Sequence, residues 1–184
     1  MRILITADLT LGLFSNGMNQ NILSLYKLLE GLGHEVHISS LENAKKHNTD
    51  KRDYNIIELQ DVYKKKMKID YLIQGGVTYG DKIVKELKDN CGDFKNVHIH
   101  YGPRFFTDIE LSLRPDQGVK GSMSRHKDFV DEVWISPHYE YSFDYFKILY
   151  CNSEIKTLPY IWSPEIVGDL EKQLNKMDKT AFYE

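Results

Sequence analysis

At 184 residues the chain is about one domain long, and with 41% apolar residues it can bury a core of its own. A net charge of −3 argues against nucleic acid as a partner, since there is neither a strongly basic balance nor an acidic tail. Cys91 and Cys151 lack metal-ligand spacing, MRILITADL is too short for a signal peptide, and no window approaches the roughly 20 apolar residues of a transmembrane segment. The expectation is a cytoplasmic protein whose membrane contact, if any, is peripheral.

Apolar runs of strand length recur between segments of helical spacing, the pattern of a parallel sheet with crossover helices. Strands are expected at Arg2 to Ala7, Glu35 to Ser39, Asn55 to Leu59, Tyr71 to Gln74, Val97 to His100, Glu132 to Ser136 and Ile155 to Leu158. A first helix should run from about Gly17 to Leu32. Ile22, Leu25, Leu28, Leu29 and Leu32 would share its apolar face, and Gly33 stands where a helix end favours a left-handed residue. Further helices are expected near Gly80 to Asp89, Pro137 to Tyr150 and Pro164 to Met177, with the polar stretch Leu41 to Asp53 as an exposed helix or connection. The fold class is therefore α/β, a Rossmann-like doubly wound parallel sheet.

Ligands of such sheets bind beyond the carboxyl ends of the strands, where strand order reverses. That nominates the loops Asp8 to Gln20, Gly75 to Tyr79, Tyr101 to Phe106 and Pro137 to Tyr141. The first carries no G-x-G-x-x-G and no P-loop, so a tight dinucleotide grip is not expected. Gly17 begins a helix whose free N–H groups suit an anion or a hydroxylated ligand, with Asp8, Asn16, Asn19 and Gln20 beside it; simple capping by Ser15 or Asn16 is the alternative. Gly75 and Gly76 allow a close backbone approach, to a ligand or in a plain tight turn.

His98 and His100 share one strand face without an acidic third partner, so no metal site is assigned. His100, Tyr101 and Arg104 sit where a substrate could be hydrogen-bonded. His138 and Glu140 lie at the same mouth, Glu140 also being suited to a helix start. The segment 104 to 127 is locally basic and rich in turn formers, as a surface loop over the cleft would be. In YEYSFDYF, Tyr139 to Phe146, the rings alternate too closely for one helix face, so some must pack against a sugar or a second domain.

SNGMNQN (Ser15 to Asn21), IDYLIQGG (Ile69 to Gly76), VHIHYGP (Val97 to Pro103) and DEVWISPHYEYSFDYFKILYCNSEIKTLPYIWSP (Asp131 to Pro164) follow one another in order. With the opening RILITAD and KLLEGLGHEVHIS they resemble the N-terminal domain of a GT-B type glycosyltransferase. The chain is similar to a little-characterised bacterial family, regarded as glycosyltransferases, with an N-G-x-x-Q-N loop, a D-E-V-W strand and a P-[FY]-[IL]-W-S-P segment. The resemblance implies that residues 1 to 164 form the acceptor-side domain and residues 165 to 184 a helix or linker toward a donor-binding domain that this sequence lacks.

The implied chemistry is sugar transfer from a nucleotide sugar, acting as co-substrate with no tightly bound cofactor, to a hydroxyl of a glycan or glycoprotein acceptor. Such reactions need the leaving diphosphate stabilised and, with inversion, a general base. His138, Glu140, His100 and Asp8 are eligible, with His138 preferred. The alternative is a non-catalytic Rossmann-like module that binds a sugar, a nucleotide or a protein.

Overall fold

A computed structural model describes residues 1–9, 17–40, 54–75, 77–102 and 129–176. Among these residues seven strands form one parallel sheet: β1 (Arg2–Thr6), β2 (Glu35–Ser40), β3 (Ile56–Glu58), β4 (Tyr71–Gln74), β5 (Lys95–His100), β6 (Glu132–Ile135) and β7 (Glu154–Thr157). Their order across the sheet is β3-β2-β1-β4-β5-β6-β7, with Ile3 in register with Val36 on one side and Tyr71 on the other. This is the α/β Rossmann-like architecture that the strand spacing predicts. β1 lies inside the sheet, between β2 and β4, with apolar layers on both faces, which is why its sequence is a continuous ILI run rather than an alternation.

Two helices cover one face. α1 (Gly17–Gly31) and α5 (Pro164–Leu174) close over Ile3, Ile5, Val36, Ile38, Ile73, Val97 and Ile99, with Ile22, Leu23, Leu25, Tyr26 and Ile166 buried against them. On the other face α2 (Leu59–Lys64) and α3 (Asp81–Cys91) bury Val62, Val84 and Leu87 against Leu4 and Leu72. There too α4 (Phe143–Leu149) packs Phe146 and Leu149 on Val133 and Ile135. The chain leaves β1 toward β2 over the first face and returns from β3 to β4 under the second, as right-handed crossovers require. Strand order therefore reverses between β1 and β4.

Several expectations change in detail. The apolar face of α1 is centred on Ile22, Leu25 and Tyr26; Leu28 is 44% exposed and Leu32 63%, because α1 meets the sheet along a narrower stripe than leucine spacing suggests. α1 does end at Gly33, in the left-handed region at φ 81°, with Gly33 N–H donating to Glu30 O and His34 N–H to Leu29 O. The helix expected over Pro137 to Tyr150 is a 3-10 helix (Pro137–Ser142) followed by α4. Tyr139 departs from helical dihedrals there, and the Ser142 hydroxyl donates to Tyr139 O at 2.6 Å, competing with regular helix bonds. The strand expected through Leu59 stops at Glu58, where α2 begins. α2 buries only Val62 and so leaves no periodicity to read. Residues 41–53 and 104–127 lie outside the described residues.

Candidate functional site at the carboxyl ends of the strands

Between β1 and β4 the backbone is tied into one unit. The Thr6 hydroxyl donates to Val77 O, and Asn19 Nδ2 at the start of α1 donates to Asp8 O at 2.7 Å. Below the loop after β4, buried Gln74 accepts from Tyr79 N–H and donates through Nε2 to Asn96 Oδ1 at 2.7 Å. Tyr79 reaches Ser39 at 2.7 Å, and burial pushes its phenol pKa up to about 12. These bonds hold the two loops that border the point of strand reversal.

Gly75 is explained by packing. A β-carbon there would collide with the Ile22 side chain of α1, so the missing side chain is what lets the helix sit close to β4. Asn19 is buried and its Nδ2 holds Asp8 O, bracing the start of α1. Gly17 and Gln20 occupy the first turn of α1. Asn16, Gly76 and Arg104 lie outside the described residues.

Moving from β1 across β4, β5, β6 and β7, Asp8, Gly75, Tyr101, His138 and Tyr160 follow the carboxyl ends of successive strands in a row, each one to three residues beyond its strand. The His138 and Tyr160 rings meet edge to face at 5.2 Å. Burial raises the Tyr101 phenol pKa, with a smaller contribution from Tyr160. Glu140 Oε1 accepts from the Thr157 hydroxyl at 2.9 Å, tying the 3-10 helix to the end of β7. His100 does not join this row. Its ring lies on the α4 face, 5.0 Å from Phe146, with Nε2 3.2 Å from the Tyr150 hydroxyl, because residues two apart in a strand share a face and His98 already points there.

Sequence reasoning overlooked Tyr160 and Trp162, though both stand in the TLPYIWSP segment. It also overlooked a cavity of about 410 Å³ on the α1 face, which runs from Met1 and Ile3 at the start of β1 past Tyr71, Ile73, Glu132 and Trp134 to Leu158 just beyond β7, against Leu29. Glu132 and Trp134 line it, and E-V-W alternation by itself does not reveal that its glutamate faces inward. Among the described residues no three His, Cys, Asp or Glu side chains converge as metal ligands, and no helix is long and apolar enough to cross a membrane.

With the fold and the row at the strand ends described, comparison with known proteins adds the family. The chain belongs to the family described as "Protein of unknown function (DUF2827)", whose model matches residues 4–184. No curated protein matches it. Among solved structures it is similar to an α-glucosyltransferase in complex with UDP and a 13-mer DNA containing a HMU base, at 17% identity and a TM-score of 0.50. That likeness covers 87% of this chain and 42% of the other, so this chain spans well under two thirds of the enzyme it matches. A looser likeness, with a TM-score of 0.40 and 12% identity, is to HmdII from Desulfurobacterium thermolithotrophum reconstituted with the Fe-guanylylpyridinol cofactor and co-crystallised with methenyl-tetrahydrofolate. It covers 98% of this chain and 66% of that one. At 17% identity the likeness to the α-glucosyltransferase bears on fold alone, a Rossmann-like α/β sheet.

Proposed function

We propose that this chain is the acceptor-side half of a nucleotide-sugar-dependent glycosyltransferase, transferring a sugar to a hydroxyl of a glycan or glycoprotein. The observation that carries the reading is the strand reversal between β1 and β4 with the start of α1 behind it, in a sheet shaped like part of an α-glucosyltransferase. Residues 1–164 are assigned to the acceptor-side domain and 165–184 to the helix or linker toward a second Rossmann-like domain of the same polypeptide, which would hold most of the donor.

In this reading the leading N–H groups of α1 face the donor's diphosphate, where a helix start favours negative charge. Tyr101 and Tyr160 supply phenol and ring surface to an acceptor sugar. His138, exposed at the mouth, takes the proton from the acceptor hydroxyl as that oxygen attacks the anomeric carbon, if the reaction inverts. Glu140, held by Thr157, keeps the 3-10 helix that carries His138 in place.

Exposed Tyr141, Ile148 and Trp162 favour a second reading, a module that presents this apolar surface to a protein. Amide NMR titration of the chain with UDP, UDP-glucose and simple glycans separates the two. The transferase reading expects shifts at Asp8, Gly17, Gly75, Tyr101 and His138, with the glycan shifts reduced in His138→Ala. Shifts absent from that row across the panel would overturn it.

A further inference from the structure

We propose that the cavity on the α1 face, running from the start of β1 to the end of β7, is a second ligand site, which takes a small neutral amphiphile: a hydrocarbon body with one hydroxyl or carbonyl end. Its lining shares no residue with the row described above, so its test is separate from that of the transferase reading.

The wall is hydrocarbon. Ile3, Leu29, Tyr71, Ile73, Trp134 and Leu158 line it, presented together because alternate residues of β1, β4, β6 and β7 share the α1 face. α1 covers only part of this face, and Tyr71, Trp134 and Leu158 are left half-buried around the opening. Its volume, about 410 Å³, falls in the range of small-molecule pockets. At about 30 Å³ per water it matches on the order of a dozen heavy atoms.

One end is polar, and its charges are already matched. Glu132 is 4% exposed; its Oε1 accepts from Lys95 Nζ at 3.0 Å, and its Oε2 from Trp134 Nε1 at 2.9 Å and Lys156 Nζ at 3.0 Å. Lys156 also meets Glu154 at 3.0 Å. At this end two ammonium and two carboxylate groups are thus paired with one another, with Met1 at the far side of the cavity. An arriving carboxylate would stand beside Glu132, and an arriving ammonium beside two lysines. A hydroxyl both donates and accepts, so it can bond at this end without opening an ion pair. The indole N–H is already bonded to Glu132, which leaves the Trp134 ring to act as apolar wall.

The chain has two tryptophans, so Trp162→Phe leaves Trp134 as the sole indole reporter of the cavity. Titration of this variant with 1-octanol should give a saturable change in emission, with octanoate and octylammonium at least about tenfold weaker. In methyl-labelled wild-type protein, octanol should shift Ile3 and Ile73 and leave Ile135, on the opposite face, in place. Leu29→Phe, checked for an unchanged melting temperature, should weaken octanol binding by narrowing the cavity; if that variant does not fold as wild type, the methyl shifts carry the test of location. No saturable change up to the solubility of octanol overturns the site. Equal potency of the three probes overturns the neutral ligand class, and shifts at Ile135 without Ile3 overturn the location.

Discussion

Ile22 of α1 fills the space that a side chain on Gly75 would need. The glycine at the end of β4 and the isoleucine one turn into α1 are therefore one packing unit, and they set how near the helix start comes to the strand reversal. Gly75→Ala should destabilise the fold by about 1–3 kcal/mol, as overpacking does. The double variant Gly75→Ala with Ile22→Val should recover part of that loss. Urea unfolding of both measures it, and an unchanged midpoint for Gly75→Ala would show that the Ile22 side chain gives way without cost.

Leu28 and Ile22 separate the two sides of α1. With Ile22 fully buried, Ile22→Ala should cost about 2–5 kcal/mol, while Leu28→Ala on the exposed side should stay within about 0.5 kcal/mol. Thermal melting of the pair tests the face assignment, and equal losses would contradict it.

Glu132 should govern part of the acid response. Burial alone would raise its carboxyl pKa, but bonds from Lys95, Trp134 and Lys156 outweigh that and hold it below the ordinary value of 4.5. A depressed pKa contributes stability that is present above the unfolded value and is lost as pH falls through the folded one. Between pH about 5 and 2 the wild type should therefore lose stability more steeply than Glu132→Gln. At pH 7 the variant should already be weaker by about 1–3 kcal/mol, since a charge-assisted set is broken. Parallel pH profiles for both proteins would refute the assignment.

Tyr79 should act at the alkaline end. Burial is the main cause of its pKa of about 12, partly opposed by the Ser39 hydrogen bond, so the neutral phenol is the form that fits the fold. That contribution is intact below the unfolded value of 10.0 and is lost as pH rises toward 12. Tyr79→Phe should cost about 0.5–1.5 kcal/mol at pH 8 through the lost Ser39 bond. It should then lose less than wild type between pH 10 and 12. Melting across that range is the check.

Local pattern made the sheet legible. ILI in β1, YLI in β4 and VHI in β5 are short apolar runs between turn signals, and Gly33 marks the end of α1 by the one dihedral region that glycine favours. The rule that ligands sit beyond strand ends also identified the loops now found at Asp8, Gly75, Tyr101 and His138. Leucine spacing mistook the reach of the α1 face, and a face is bounded by what lies opposite it, which spacing along one helix does not contain.

The order of strands and the identity of partners came from the tertiary structure. That β1 lies between β2 and β4, that Ile22 stands where a Gly75 side chain would be, and that His100 turns to Phe146 and Tyr150 are all facts of elements distant in sequence. Glu132 is the clearest case. Its carboxylate is 37 residues from Lys95 and 24 from Lys156, and only the pairing of β5, β6 and β7 makes the three one cluster. By itself the sequence determined the strands and the longer helices, though not α2, because backbone preference and apolar period are local. Which side chains meet was decided by the sheet, because the burial that drives packing joins residues through space rather than along the chain.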